Sequence, residues 1–226
     1  LKDVGRFLLG LLLTAAAGWT DAVGLLEFGG FAASYMSGNT TQLGLAGATA
    51  EVPHAVRALS AILPFAFGAF VGGLMFAKGD RWTFALAVMV VAVSLCLAAG
   101  LTLGPDAPTP LALAPVAFAM GLQNHIVSKT RTDNAGTTFI TGTLFRFGDA
   151  LAQAALGVDR SARALRLLVV VTAFGIGGWC GAVATLREGA RALVLPAGTM
   201  LALAVGALLL EAVRALRQRG RQRPAT

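Results

Sequence analysis

Two short polar blocks interrupt an otherwise apolar chain, Ser37-Gly-Asn-Thr-Thr-Gln-Leu-Gly44 and Thr141-Gly-Thr-Leu-Phe-Arg-Phe-Gly148. Ser, Thr and Asn are strong helix N-caps, and the residues after each block, Thr41 to Ala50 and Leu144 to Leu156, are helix-competent. Each block is therefore expected to start a half-helix. The free N–H groups and positive dipole end of such a helix favour an anion or the oxygen atoms of a polar solute. Ser37, Asn39, Thr40, Thr41, Thr141 and Thr143 would surround it with adaptable donors and acceptors, and Arg146 beside the second start also suits an anion. The same residues could instead only cap helices and tie spans together through interhelical hydrogen bonds.

Ionisable groups within apolar runs are the second signal, since a charge at the bilayer centre costs at least about 2.5–3.5 kcal/mol. Asp21 lies well inside the first apolar run, and the second half of the chain places Asn124, with Gln123 beside it, in the matching position. Two readings of Asp21 stand: a group that titrates to couple a proton or cation, or a structural carboxylate satisfied by nearby hydroxyls. Arg146 and Asp149 are three apart and can pair along a helix. His125 ends a span and Glu27 lies near a surface, and neither is assigned catalysis. No Ser/His, Cys/His, His-x-x-x-His or paired-carboxylate spacing supports an enzyme. Cys96 and Cys180 stand alone in apolar runs, so neither a disulfide, a metal site nor a cofactor is expected.

The elements that position these groups follow from composition. Of 226 residues 56% are apolar, 28 more are glycine, and only 13% are charged. A soluble domain carries about 25% charged residues, so the solvent here is lipid. Apolar runs long enough to cross, at about 20 residues each, occur near 7–26, 58–77, 83–103, 110–128, 167–186 and 192–213. The polar segments near 29–50 and 135–156 either span or dip in and return. Cytoplasmic loops collect Lys and Arg. With six spans, re-entrant polar segments and the N-terminus inside, fourteen of the 18 basic residues fall on the inner side, three outside (Arg57, Arg187, Arg191), and Arg146 lies within the second polar segment. Eight spans would spoil that bias. Both termini are therefore expected in the cytoplasm, and Gly104-Pro-Asp-Ala-Pro-Thr-Pro110 is expected outside. The net charge of +7 reflects short basic clusters between spans and five arginines from Arg214 to Arg223. These suit anionic lipid headgroups, and no nucleic-acid partner is expected.

The halves repeat. Gly18-Trp-Thr-Asp-Ala22 answers to Gly121-Leu-Gln-Asn-His125, the two polar blocks answer to each other, and Ala66-Phe-Gly68 answers to Ala173-Phe-Gly175, at offsets of 103, 104 and 107 residues. A unit with three crossings must re-enter from the opposite side, so the repeats are inverted. Such repeats place sites near the bilayer midplane. The expected fold is one all-α polytopic membrane domain over 1–226, with repeat one at about 7–103, repeat two at about 110–213 and a basic tail at 214–226. Glycine pairs at Gly68/Gly72 and Gly177/Gly181 permit close helix packing, within a subunit or across a homodimer.

Together with Met36-Ser-Gly-Asn-Thr-Thr-Gln-Leu-Gly44 and Thr137-Thr-Phe-Ile-Thr-Gly-Thr-Leu144, these motifs resemble the YoaK-like family of bacterial inner-membrane proteins from about residue 7 to 213. Trp19, where Tyr or Phe is common, and His125, where a small residue is usual, are departures. The resemblance implies a polytopic inner-membrane protein and leaves its activity open. The residues themselves lead to a small secondary transporter or channel for a small polar, anionic solute, bound between the two half-helix starts and lined by Asp21, Gln123 and Asn124. The alternative is a non-transporting accessory or scaffolding membrane protein.

Overall fold

The computed structural model describes residues 2–77, 79, 82–102, 109–130, 140–158 and 162–221, and among them every regular element is a helix. In chain order these are α1 (Lys2–Glu27), α2 (Met36–Ala48), α3 (Val52–Ala77), α4 (Thr83–Leu101), α5 (Thr109–Thr130), α6 (Ile140–Ala155), α7 (Ala162–Glu188) and α8 (Val194–Arg221). A 3-10 turn, Gly189–Leu193, joins the last two, with Gly189 at φ +62°. Six of the helices contain or nearly contain the six apolar runs, the runs at 83–103 and 192–213 each extending two residues beyond α4 and α8, while α2 and α6, of 13 and 16 residues, lie in the polar segments. Helix α3 starts at Val52, ahead of its apolar run. Hydrogen bonding begins where Glu51 accepts from the His54 and Ala55 N–H groups, and Pro53 is tolerated in a first turn.

Four segments among the described residues are long and apolar enough to cross a membrane: Val4–Glu27, Val52–Ala77, Thr83–Leu101 and Ala162–Gln218. The last has 57 residues and contains both α7 and α8. The outer surface is that of a protein in lipid. Leu63, Phe67, Phe70 and Leu74 of α3, Leu86, Val93 and Leu97 of α4, and Ile176 and Trp179 of α7 all face outward.

Helix α5 is the centre, with no exposed residue between Ala112 and Ser128. It packs along α3 and α4 and crosses α1, which in turn packs along α7, and α4 lies against α8. Glycine makes these seams close. A Cβ at Gly68 would strike the Phe118 carbonyl and one at Gly121 that of Phe65, so α3 and α5 touch backbone to backbone. Gly177 meets the Ala15 carbonyl and Gly18 that of Phe174 in the same way between α7 and α1. Gly72 lies against His125 and Gly181 against Trp19. Gly68, Gly72, Gly177 and Gly181 are thus filled within the subunit, the first of the two packing roles expected of them.

The basic tail is not separate from the last span: α8 runs on to Arg221, and Arg214 pairs with Glu211. The expected outer loop 104–110 and Thr137–Phe139 of the second motif lie wholly or mostly outside the described residues, as do Lys78, Arg81, Arg131 and Arg160.

Candidate functional site

After α1 the chain reverses at Gly29 and Gly30, whose φ values of +74° and +88° suit glycine. It then returns along α1, close enough that a Cβ at Gly24 would meet the Phe31 carbonyl. By Ser34 the chain is level with Asp21, almost two turns inside the end of α1. One carboxylate oxygen of Asp21 accepts from the Ser34 N–H at 2.7 Å and the other from the Ser34 hydroxyl at 2.6 Å. Asp21 is 6% exposed. Of the two readings left open by the sequence, this geometry is that of a carboxylate held by a neighbouring hydroxyl. It pins a returning strand of irregular backbone to α1.

From that strand α2 starts at Met36, one turn earlier than the polar block suggests. Ser37 and Asn39 are therefore not N-caps: Tyr35 occupies that position and its side chain caps nothing. Thr40 and Thr41 donate backwards to the carbonyls of Met36 and Ser37 at 2.8 and 3.1 Å, and both are exposed. Asn39 is buried and donates to the Ala32 carbonyl at 2.7 Å, locking the helix to the strand that feeds it. The first helical bond runs from the Asn39 N–H to the Tyr35 carbonyl, so the Ser37 and Gly38 N–H groups lie ahead of the ladder. The far end of α2 rests on α3, where Gln42 lies 3.3 Å from His54 and Phe31 packs on the His54 ring at 4.9 Å.

A second polar group lies where α1 and α5 cross. Gln123 is fully buried; its Nε2 donates to the Leu13 carbonyl at 2.9 Å, and among the described residues its Oε1 is a buried acceptor without a partner. Nearby, the Thr20 hydroxyl donates to the Ala17 carbonyl and touches Met120 Sδ, and the Thr14 hydroxyl donates to Gly10. Thr20 meeting Met120 while Leu13 meets Gln123 makes the two helices antiparallel. Asn124 is half-buried beside Gln123.

In the second half, Thr141 is exposed and Thr143 buried in the first turn of α6, so here too the block lies inside the helix rather than before it. Asp149 accepts from Gln153 at 2.8 Å. Helix α6 packs on α7 and α2 on α3, and no residue of α2 comes within 8 Å of α6, Cα to Cα. The two half-helices therefore do not pack directly on each other, as a pocket shared between Ser37–Thr41 and Thr141–Thr143 was expected to arrange them. Each half-helix is short and is held by the long helix that follows it. Ser34, Thr14, Thr20 and the Gln42–His54 contact were missed, because single small polar residues in apolar runs carry no spacing signal.

A family model described as a protein of unknown function (DUF1275) matches residues 9–206. The chain belongs to this family. The DUF1275 span takes in Asp21, Gln123 and both polar blocks, and the YoaK-like resemblance of those motifs is borne out. The UPF0700 transmembrane protein RA0705 of Rhizobium meliloti is 31% identical over 206 residues, covering 89% of this chain and 88% of that one. The UPF0700 transmembrane protein YoaK of Bacillus subtilis is 27% identical over 141 residues, 59% of this chain and 61% of that one. No solved structure matches. This DUF1275 protein is a helical membrane protein in contact with the lipid bilayer.

Proposed function

We propose that the protein is a small secondary transporter or channel of the bacterial inner membrane for a small polar solute, an acid that also carries an N–H or O–H group. The observation that carries this reading is Gln123 Oε1, a buried acceptor that no described residue pairs in the interior of a membrane protein. Such an atom costs about 1–3 kcal/mol unless something donates to it. The second support is irregular backbone at Asp21's depth, which lipid tolerates only where it is buried or lines a cavity. The N–H groups of Ser37 and Gly38 suit the solute's anionic end, and the path leads from α2 to the α1–α5 crossing rather than between α2 and α6.

Six helices cross, as two inverted repeats with both termini cytoplasmic. A straight 57-residue helix would be about 86 Å long, far beyond the roughly 30 Å of hydrocarbon, and the turn at Gly189 divides it. The glycine seams support the repeat. Gly18 to Gly121 and Ala15 to Phe118 are both 103 residues apart, while Phe65 to Phe174 and Gly68 to Gly177 are both 109 apart. One pair of offsets thus relates both seams, and the Ala-Phe-Gly match lies two residues out of that register. Antiparallel α1 and α5 suit inversion, and the basic residues give the orientation.

Uptake into proteoliposomes, screened over small acids that carry hydroxyl or amino groups, tests the function. Flux that survives Gln123→Leu overturns the site. The second reading, an accessory membrane protein, draws on the internal hydrogen bonds of Asp21, Asn39, Thr40 and Thr41. It predicts no flux under any gradient and a stable partner in native membranes.

A further inference from the structure

Between α1, α7 and the start of α8 lies a slot of about 250 Å³ that opens sideways and is almost wholly apolar. Leu12 and Trp19 form one wall, Ile176 and Cys180 another, and Leu195 and Pro196 the third. Trp19 Nε1 donates to the Ala192 carbonyl at 2.9 Å and so ties α1 to the 3-10 turn above the slot.

Depth and charge identify what fits. Ile176 lies twelve residues before the end of α7, about 18 Å down the helix, whereas Leu195 and Pro196 are in the first turn of α8. The slot therefore runs from the membrane surface to about the middle of a 30 Å hydrocarbon layer, the reach of one leaflet. At 100° per residue, Arg187 stands over Cys180 on the same face of α7, two turns nearer the surface. Arg191 precedes Leu195 by four residues in the turn. Both arginines are exposed, and among the described residues neither side chain makes an ion pair or a hydrogen bond. Carboxylates share this end: Glu188 is exposed, and Glu27 ends α1 beside Gly189, whose Cβ would lie 3.9 Å from both of its oxygens.

We infer that this slot is a binding site for one zwitterionic aminophospholipid, such as phosphatidylethanolamine. One acyl chain fills the cleft, the phosphate lies on Arg187 and Arg191, and the ammonium faces Glu27 and Glu188. An apolar chain needs the dry cleft, a phosphate needs the guanidinium donors, and the mixed charge of the mouth favours an amine over a purely anionic headgroup. The site is separate from Gln123 and does not depend on transport.

Native mass spectrometry of the full-length protein in nanodiscs of mixed phosphatidylethanolamine, phosphatidylglycerol and phosphatidylcholine tests it. One phosphatidylethanolamine should persist as lipid is stripped, and Arg187→Ala with Arg191→Ala should reduce its retention about tenfold. Cys180 provides a second readout. In a Cys96→Ser background, its reaction with a hydrophobic maleimide should be several-fold slower in phosphatidylethanolamine nanodiscs than in phosphatidylcholine nanodiscs. Ala16→Phe, which fills the cleft but leaves the arginines, should abolish retention while the melting temperature of the variant verifies its fold. Preferential retention of phosphatidylglycerol, equal retention of all three lipids, or retention unaffected by the arginine pair overturns the proposal.

Discussion

The seams between helices and the polar groups beside them obey different rules. Along α3–α5 and α1–α7 the contacts correspond residue for residue: Gly68 on Phe118 as Gly177 on Ala15, and Gly121 on Phe65 as Gly18 on Phe174. The polar groups do not correspond. Asp21 is locked to Ser34, whereas its counterpart is the amide Asn124; Thr20 is satisfied within its own helix, whereas its counterpart Gln123 reaches α1 and leaves an oxygen bare. Backbone packing that tolerates no Cβ constrains both halves alike. A side chain that can choose its partner leaves each half free to specialise, and the asymmetric groups are where activity belongs.

Breaking the seams should give the largest effect. Gly177→Leu and Gly68→Leu each force a side chain onto a carbonyl, and overpacking costs about 1–3 kcal/mol even where side chains can yield. Both variants should melt far below the parent in detergent and to a similar extent, whereas Gly175→Leu, with nothing within 4 Å, should melt close to it. Unequal losses at Gly68 and Gly177 would break the correspondence. Next, Asp21→Ala leaves the Ser34 N–H and hydroxyl without their acceptor, at about 1–3 kcal/mol for a buried group. Asp21→Asn, which makes the first half resemble the second, keeps an oxygen for the N–H and should lose less; thermal melts of the pair measure the difference. Gln123→Leu removes one hydrogen bond but also the unpaired oxygen, so its stability should stay within about 1 kcal/mol of the parent while solute flux is lost. The smallest effect is expected at Asp149→Ala, where an exposed i, i+4 contact with Gln153 contributes about 0.5 kcal/mol or less and the melt should barely move.

Much of the fold was legible because lipid leaves its mark on composition. Six apolar runs coincide to within two residues or fewer with stretches of six long helices, and the polar blocks sit inside the two short ones. Boundaries were less legible, because apolarity marks where lipid begins and hydrogen bonding continues past it, as at Val52 and along α8 to Arg221. Within the site, Asp21 and Gln123 stood out as polar groups among apolar ones and both are buried. Their partners did not stand out: Ser34 becomes the partner of Asp21 only because two glycines reverse the chain after α1. Residue type also misled at Ser37 and Asn39. Good N-cap residues lie there, yet the helix had already begun at Met36, so Asn39 turns back to Ala32 and the threonines to their own helix. The expected meeting of α2 and α6 failed for a related reason, since each leans on its own successor.

Enclosure of α5 on every side has a consequence for how the protein is made. During synthesis its packing partners α1, α3 and α4 have all left the ribosome before it does. Helix α5 can therefore dock as it emerges, burying Gln123 against α1 before α7 and α8 exist. Assembly order is thereby written into the centre of the molecule, and a nascent chain halted just after α5 should already protect that segment from quality-control proteases.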